Sequence, residues 1–272
     1  MLCILSALKA ESEPLINFFQ LKKDYSYKFP VFLNKNIVLI AIGVGKKNIL
    51  ERINIFFSRH AKEKIYFINI GIAGGYSKNT NIGDCHLINK IQDDLTKKNF
   101  YPDILIKHTF VEKGIVTVEN IVSKDNGKYN SLVDMESSEI FYRCSRLVPV
   151  HRISFLKIVS DYIDLDKQTF GFNYIYDLID HSLDQIKKYF YDLNLLEVKE
   201  RSILKNEDII WLENISNLLS LTISQQKIIK DKVIGFRLKN PDRYLPVYEE
   251  KILESKLHQK KIFLKISDQI SI

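Results

Sequence analysis

The chain has 272 residues, of which 46% are apolar and 11% aromatic, so it can form a folded core and is not a disordered chain. Lysine and arginine outnumber aspartate and glutamate by 40 to 33, and the net charge of +7 is spread along the chain, unlike that of a dedicated nucleic-acid binder. The three cysteines and six histidines lack metal-ligand spacing, so we expect neither a metal site nor a disulfide framework.

Short apolar runs alternate with longer amphipathic stretches over the first 200 residues, which is typical of an α/β domain with a mostly buried sheet. Several of these runs are apolar at both odd and even positions, as expected for strands covered by helices on both faces. We predict strands at about residues 2–7, 36–42, 65–71, 84–91, 114–119 and 153–160. We predict helices at about residues 10–21, 46–60, 134–147 and 170–192.

The pattern changes after about residue 200, where residues 204–221 and 223–234 read as two further helices. Thr222 and Gln225 have the spacing of a capping box at the start of the second helix. The sequence therefore predicts a main domain at 1–200 and a helical extension of unassigned role at 201–272.

No apolar run approaches the ~20 residues that a membrane helix needs, and the first residues read as a buried strand instead of a signal sequence. We therefore expect a cytoplasmic protein that does not contact membranes.

Several segments place acidic residues or glycines at predicted strand ends, where an open α/β sheet binds its ligands. Each has a plain structural interpretation as well: Glu11 suits the start of a helix, and an aspartate after a strand often caps a turn. A glycine cluster at residues 71–75 permits a tight turn or close approach to a ligand. A dinucleotide site is not expected, because the segment Gly43-Val44-Gly45-Lys46 lacks the third glycine of that fingerprint.

Taken in order, these segments resemble the purine nucleoside phosphorylase and nucleosidase superfamily, most closely its 5'-methylthioadenosine/S-adenosylhomocysteine nucleosidase branch. The resemblance covers about residues 1–192 and implies an α/β fold with a central mixed sheet flanked by helices, followed by a small helical C-terminal appendage. The resembling segments are Ala7-Leu8-Lys9-Ala10-Glu11, Gly43-Val44-Gly45-Lys46, Asn69-Ile70-Gly71-Ile72-Ala73-Gly74-Gly75 with Gly83-Asp84, Val133-Asp134-Met135-Glu136-Ser137, and Ile158-Val159-Ser160-Asp161-Tyr162-Ile163-Asp164.

The resemblance implies an enzyme that hydrolyses the N-glycosidic bond of a purine nucleoside or thionucleoside, such as methylthioadenosine or S-adenosylhomocysteine. Asp161, which follows Ser160 in the matching motif, would protonate the departing base, and Glu11 would deprotonate an attacking water. Glu136 would bind the ribose hydroxyls while Met135 packs on the sugar. The glycine-rich turn, with Ile72, Ala73 and Gly74, would border the base and the nucleophile.

The nucleophile depends on whether the site holds phosphate, which needs cationic donors. In the resembling hexameric phosphorylases an arginine lies at about the position of Asn69, and a hydroxyl residue at about that of Ile72. Neither is present here, which favours water. Ile72 also differs from the small or hydroxyl residue that the nucleosidases have at this position. The family's base-stacking aromatic has no clear counterpart here: Ile121 and Val122 occupy that part of the sequence, and Tyr129 is a further candidate.

Three alternatives remain open. The first is a phosphorylase in which a lysine or a neighbouring subunit supplies the missing cation. The second is a non-catalytic descendant that binds a nucleoside, and the third is a nucleic-acid or protein-partner role for the extension, whose Trp211, Phe236 and Tyr244 are interspersed with basic residues. The resemblance implies no cofactor, a purine nucleoside as the small-molecule partner, and a homodimer. Nucleic acid is not an expected partner.

Overall fold

The computed structural model describes residues 1–43, 45–60, 64–120, 122, 128–163, 171–248 and 256–270, and gives the backbone alone at residues 46 and 195–202. Val44, Ile121 and Asp164, which belong to the segments and candidates named above, lie outside the described residues. The chain divides into two compact units, Met1–Asp192 and Leu193–Ile272. Among the described helices, none combines the length and apolar character needed to cross a membrane.

In the first unit, the described residues form one sheet of ten strands with helices around it. The strands are β1 (Leu2–Ser6), β2 (Lys22–Lys23), β3 (Val31–Leu33), β4 (Ile37–Ala41), β5 (Tyr66–Gly74), β6 (Cys85–Asp93), β7 (Asn99–Phe100), β8 (Val111–Thr117), β9 (Leu132–Asp134) and β10 (Ile153–Asp161). The helices are α1 (Lys9–Phe18), α2 (Lys46–Arg59), α3 (Ser137–Cys144), α4 (Phe172–Asp180) and α5 (Leu183–Ile203), the last of which continues beyond residue 192.

The sheet is mixed, as the sequence predicted. Strand β1 lies between β4 and β5 and is parallel to both, and β10 is parallel to β5 but antiparallel to β6. Strand β8 pairs in parallel with β6 on one side and with β9 on the other, and β9 also pairs with β5 in antiparallel orientation. Strands β5, β10, β6, β8 and β9 therefore form a closed circuit of pairings, with the ends of β5, β9 and β10 side by side.

The main core lies between this sheet and helices α2 and α3. Its buried side chains come from alternate positions of the central strands. The positions between them, such as Ile4, Leu39 and Leu156, are buried as well, which explains the apolar runs in the sequence. Representative members from β1, β5 and β10 and from the two helices are Leu5, Phe67, Phe155, Ile53, Phe56, Ile140 and Phe141.

The structure corrects several predicted boundaries. The helix predicted at 170–192 is two helices, because the chain turns at His181 and Ser182 between α4 and α5. The helix predicted at 134–147 begins only at Ser137, because Asp134 is paired with Thr117 in the sheet. Strands β2, β3, β7 and β9 were not predicted, since two or three residues are too few to show a period of two.

The second unit contains the last part of α5 together with α6 (Asn206–Leu218), α7 (Ile223–Lys239) and α8 (Lys256–Gln269). The predicted capping box is confirmed: the Thr222 side chain accepts from the Gln225 amide, and the Gln225 side chain accepts from the Thr222 amide at 3.0 Å. Helix α8 was not predicted. The core of this unit comprises Ile215, Leu219, Leu221, Ile229, Val233, Phe236, Leu245, Ile262, Ile266 and Ile270.

A buried ion pair joins α6 to α7 within this second unit. The Arg237 guanidinium donates to both carboxylate oxygens of Asp208 at 2.7 and 2.6 Å, and both side chains are almost fully buried. Phe236 belongs to the core, Trp211 packs against it and donates to the Pro246 carbonyl, and Tyr244 is 81% exposed. Two of the three aromatics are therefore used for packing.

Candidate active site

Glu11 is buried at the start of α1, where the chain leaves β1. Its Oε2 accepts hydrogen bonds from the amides of Ala7 and Leu8, both at 2.9 Å, and its Oε1 accepts from the amide of Ile72 at 2.9 Å. The side chain therefore caps its own helix and also joins α1 to β5. Burial raises the pKa of Glu11, although the backbone hydrogen bonds and the charge of Lys157 act in the opposite direction.

The residues 71–75 were predicted to form a turn, but β5 continues through Gly74. Two of these glycines allow carboxylate side chains to pack closely against strand β5. A Cβ on Gly71 would lie 2.7 Å from Oε1 of Glu11, and a Cβ on Gly74 would lie 3.1 Å from Oδ1 of Asp161 and 2.7 Å from the side chain of Ile163. Glycine at these two positions thus lets two carboxylates approach the strand.

Gly71→Ala is expected to lower the free energy of unfolding by about 1–3 kcal/mol, because the new methyl group must displace Glu11 from the Ile72 amide. Gly114→Ala is a matched strand control, since its nearest atoms would be at 3.9 Å. Urea unfolding of both variants measures the difference. Equal stability of the two variants would show that Gly71 is not needed for the Glu11 contact.

The segment Asp134-Met135-Glu136 joins the end of β9 to the start of α3. Asp134 is buried and accepts from the Thr117 hydroxyl at 2.8 Å and from the amide and hydroxyl of Ser137 at 3.0 and 2.5 Å. Glu136 is half-buried, and its pKa is raised to about 7. Burial is the main cause, and the negative charges of Asp134 and Glu11 add to it against the attraction of Lys157.

Lys157 is a functional candidate that the sequence analysis missed. It lies in the middle of β10, is 1% exposed, and its Nζ is 2.8 Å from Oδ2 of Asp134. Burial alone would lower the pKa of Lys157, but the charges of Asp134, Glu136 and Glu11 raise it above its ordinary value. A lysine inside a buried, mostly apolar strand was the available signal, because a buried ammonium requires a partner.

Asp161 ends β10 beside a β-bulge. Val159 pairs with Ala73 and Asp161 pairs with Gly74, so Ser160 has no paired residue on β5. The Ser160 hydroxyl donates to Oδ2 of Asp161 at 2.7 Å, and the Ile163 amide donates to Oδ1 at 2.9 Å. Bulges beside functional sites redirect side chains, and here the carboxylate that follows the bulge lies against Gly74 of β5.

The strand register brings these groups to one edge. Gly74 pairs with both Asp161 of β10 and Val133 of β9, so the ends of the two neighbouring strands lie on either side of it. The Asp161 carboxylate and the Asp134–Glu136 segment therefore flank the same strand, and Lys157 pairs with Gly71, which contacts Glu11.

An apolar cluster lies along the same edge. It contains Val116, Val118, Tyr129, Val133 and Ile163, with Val122 and Met135 packed against it. Ile163 has a φ of 62°, which is uncommon for a β-branched residue and marks a constrained position next to Asp161. Of the candidates for a base-stacking aromatic, Tyr129 belongs to this cluster, and its hydroxyl donates to Asp94 at 2.9 Å.

The other predicted site residues lie on β5. Ala73 is buried in the main core, and Ile72 is half-buried and contributes its amide to Glu11. Within the described ranges, no group of three histidine, cysteine or carboxylate residues is arranged to hold a metal ion. The site thus consists of carboxylates, one ammonium group and an apolar wall.

No protein-family model matches the chain, and no curated protein sequence does. Solved structures do. A 5'-methylthioadenosine/S-adenosylhomocysteine nucleosidase from S. pneumoniae with a transition-state inhibitor has a TM-score of 0.59 at 16% identity, covering 71% of this chain and 99% of that chain. The adenine-bound nucleosidase of Chlamydia trachomatis has a TM-score of 0.55 at 18% identity, and the match covers 70% of this chain and 98% of that chain. The Campylobacter jejuni nucleosidase has a TM-score of 0.53 at 20% identity, and the match covers 69% of this chain and 96% of that chain. The chain therefore has the nucleoside phosphorylase and nucleosidase fold that its ordered segments predicted.

Proposed function

We propose that the chain hydrolyses the N-glycosidic bond of a purine nucleoside or thionucleoside, with methylthioadenosine and S-adenosylhomocysteine as the first candidates. One observation carries the proposal: the strand register places Asp161 on one side of Gly74 and the segment leading to Glu136 on the other, beside an apolar wall. A purine nucleoside has a flat apolar base and a polar sugar, which suits such a site.

Asp161 is the proposed acid. Cleavage of the bond places negative charge on the departing base, and a carboxylic acid that gives its proton to the base removes that charge. The hydroxyl of Ser160 and the amide of Ile163 fix both carboxylate oxygens, so the group is oriented before substrate binds. The apolar cluster that includes Ile163 and Tyr129 would then contact the base.

Glu136 and Glu11 are assigned to the sugar and to water. The Glu136 carboxylate would accept from the ribose hydroxyls and stabilise positive charge on the sugar in the transition state, with Met135 against the ring. Burial raises the pKa of Glu11, which makes its carboxylate a stronger proton acceptor than an exposed one and suits the role of general base. Glu11 would take the proton of the attacking water.

Water is the proposed nucleophile because the cluster is unfavourable for phosphate. Lys157 is paired with Asp134, and the carboxylates of Glu11 and Glu136 raise the negative charge around it. A phosphate dianion placed there would be repelled by these carboxylates, whereas a neutral water would not.

Glu136→Gln is expected to raise KM for a ribonucleoside about 10-fold or more, because a hydrogen bond to a charged group contributes about 1.5–3 kcal/mol. The matched 2'-deoxynucleoside serves as the control, because it lacks one of the hydroxyls that Glu136 would bind. Its KM should change much less. An equal change for both substrates, or none for either, would remove the ribose role from Glu136.

Base release from adenosine, methylthioadenosine, S-adenosylhomocysteine, inosine and guanosine, each with and without phosphate, tests the function. Release without phosphate from at least one nucleoside supports hydrolysis. Release that requires phosphate would make the chain a phosphorylase. Binding of nucleosides without release of any base would indicate a non-catalytic descendant.

The resemblance also leads us to propose a homodimer located in the cytoplasm, with residues 1–200 as the catalytic domain. The helical extension at 201–272 is proposed to be outside the catalytic chemistry, since the assigned residues all precede it.

A further inference from the structure

The backbone at the end of β10 has a hydrogen-bond acceptor outside the regular strand pairing. Ser160 is the bulged residue and has no paired residue on β5. The hydroxyl of Tyr174 donates to the Ser160 carbonyl at 2.8 Å. A side chain from helix α4 therefore satisfies the peptide group that links Ser160 to Asp161, at the place where the bulge redirects the strand.

Helix α4 is well placed to restrain this peptide. It packs against α1, the helix that carries Glu11, and Lys9 of α1 lies 5.7 Å from the ring centre of Phe172. Tyr174 is two residues further along α4 and is 37% exposed, so its ring lies partly at the surface while its hydroxyl points inward to β10. One helix thus contacts the elements that carry Glu11 and Asp161.

We propose that Tyr174 is a positioning residue, which holds the Ser160–Asp161 peptide and thereby orients the Asp161 carboxyl group for reaction. The inference rests on the proposed function in assigning the reaction to Asp161. It adds a residue that is in none of the resembling segments named above. The hydrogen bond fixes the carbonyl of Ser160, the one residue of the bulge that has no paired residue on β5.

The electrostatics are consistent with this role. Burial raises the pKa of Tyr174, and the charge of Asp161 raises it further, so the phenol keeps its proton and remains a donor at neutral pH. A donor that lost its proton near neutral pH could not hold a carbonyl oxygen.

Tyr174→Phe tests the proposal, because it removes one hydroxyl and keeps the ring. We expect kcat for base release to fall about 10- to 100-fold, with KM within twofold of the wild-type value, since a small misplacement of a reacting group can reduce the rate by this amount. Tyr176→Phe is the matched control on the same helix. Its hydroxyl accepts a long, exposed bond of 3.4 Å from Asn17 and, among the described residues, makes no hydrogen bond to β10, so kcat should not change.

A purely structural role would lower the melting temperature of Tyr174→Phe without lowering kcat of the folded enzyme, and that result would overturn the proposal. Crystal structures of the wild-type protein and Tyr174→Phe supply a readout that does not depend on activity. We expect the Ser160–Asp161 peptide to rotate in the variant and the 2.9 Å contact from the Ile163 amide to Oδ1 of Asp161 to be lost. A Ser160–Asp161 peptide with the same orientation in both structures would refute the positioning role, whether or not the wild-type protein releases base. Absence of base release by the wild-type protein would refute only the proposed function.

Discussion

Asp161→Asn is expected to reduce kcat for base release by about 10²- to 10⁴-fold, because the amide cannot deliver a proton to the departing base. The fold should be retained. In the wild-type protein the backbone amide of Ile163 donates to Oδ1 of Asp161 at 2.9 Å, and the side-chain oxygen of the asparagine can accept the same bond. The backbone amide of Gly75 donates to the main-chain carbonyl of residue 161 at 2.7 Å, and the substitution does not alter that carbonyl. Steady-state kinetics and thermal unfolding of the same preparation measure both effects.

Asp180→Asn is a suitable control, since this exposed carboxylate at the end of α4 has no assigned role. Its rate should equal that of the wild-type protein. If Asp161→Asn also turned over at the wild-type rate, Asp161 would not be the acid, and the proton would have to come from another group.

Lys157→Met is expected to lower the free energy of unfolding at pH 8 by about 3–5 kcal/mol, the usual cost of removing one partner of a buried ion pair. The change leaves the Asp134 carboxylate buried without its ammonium at 2.8 Å, beside Glu136 and Glu11. Urea unfolding at two pH values is the measurement. The loss should be smaller at pH 5 than at pH 8.

The pH dependence follows from the direction of the pKa shifts. The pKa of Glu136 is raised to about 7 in the folded state, so this group is protonated at pH 5 and adds a negative charge to the cluster only above about pH 7. Lys157, whose pKa is raised, is charged at both pH values, so its stabilising effect on the wild-type protein is present at both. Because Lys157 lowers the pKa of Glu136, its removal opposes the ionisation of Glu136 that the wild-type protein undergoes between pH 5 and pH 8, so the loss of stability in Lys157→Met is larger at pH 8.

Adding Asp134→Asn to Lys157→Met should recover part of the lost stability, because the buried carboxylate is then neutral. A Lys157→Met variant as stable as the wild-type protein at pH 8 would contradict the view that this ammonium balances the carboxylates. So would a double variant that is less stable than the single one.

Much of the central sheet could be predicted from the sequence, because β1, β4, β5, β6 and β10 are long enough to appear as apolar runs. Glu11, Glu136 and Asp161 could be singled out because each lies at or shortly after the end of a strand, and because their segments occur in the order of a known superfamily. Strand β9 has three residues, so its pairing with Gly74, which brings the end of β9 next to the strand that also pairs with Asp161, could not be predicted.

The contacts that organise the site depend on tertiary structure. Lys157 is 23 positions from its partner Asp134, and neither segment by itself predicts a contact with the other. The reason for Gly71 is likewise visible only when Glu11 is seen against the strand. Tyr174 lies in a helix whose apolar spacing predicts packing, and its hydrogen bond to the Ser160 carbonyl depends on a bulge that a sequence pattern does not reveal.

The most direct test of hydrolysis is to follow methylthioadenosine and S-adenosylhomocysteine in ¹⁸O-labelled water that also contains phosphate, and to weigh the sugar product by mass spectrometry. The account predicts free adenine and a sugar that carries one ¹⁸O atom. A sugar 1-phosphate without the label would show that phosphate is the nucleophile, and intact nucleosides after prolonged incubation would contradict the assignment of Asp161, Glu136 and Glu11 to cleavage of these substrates.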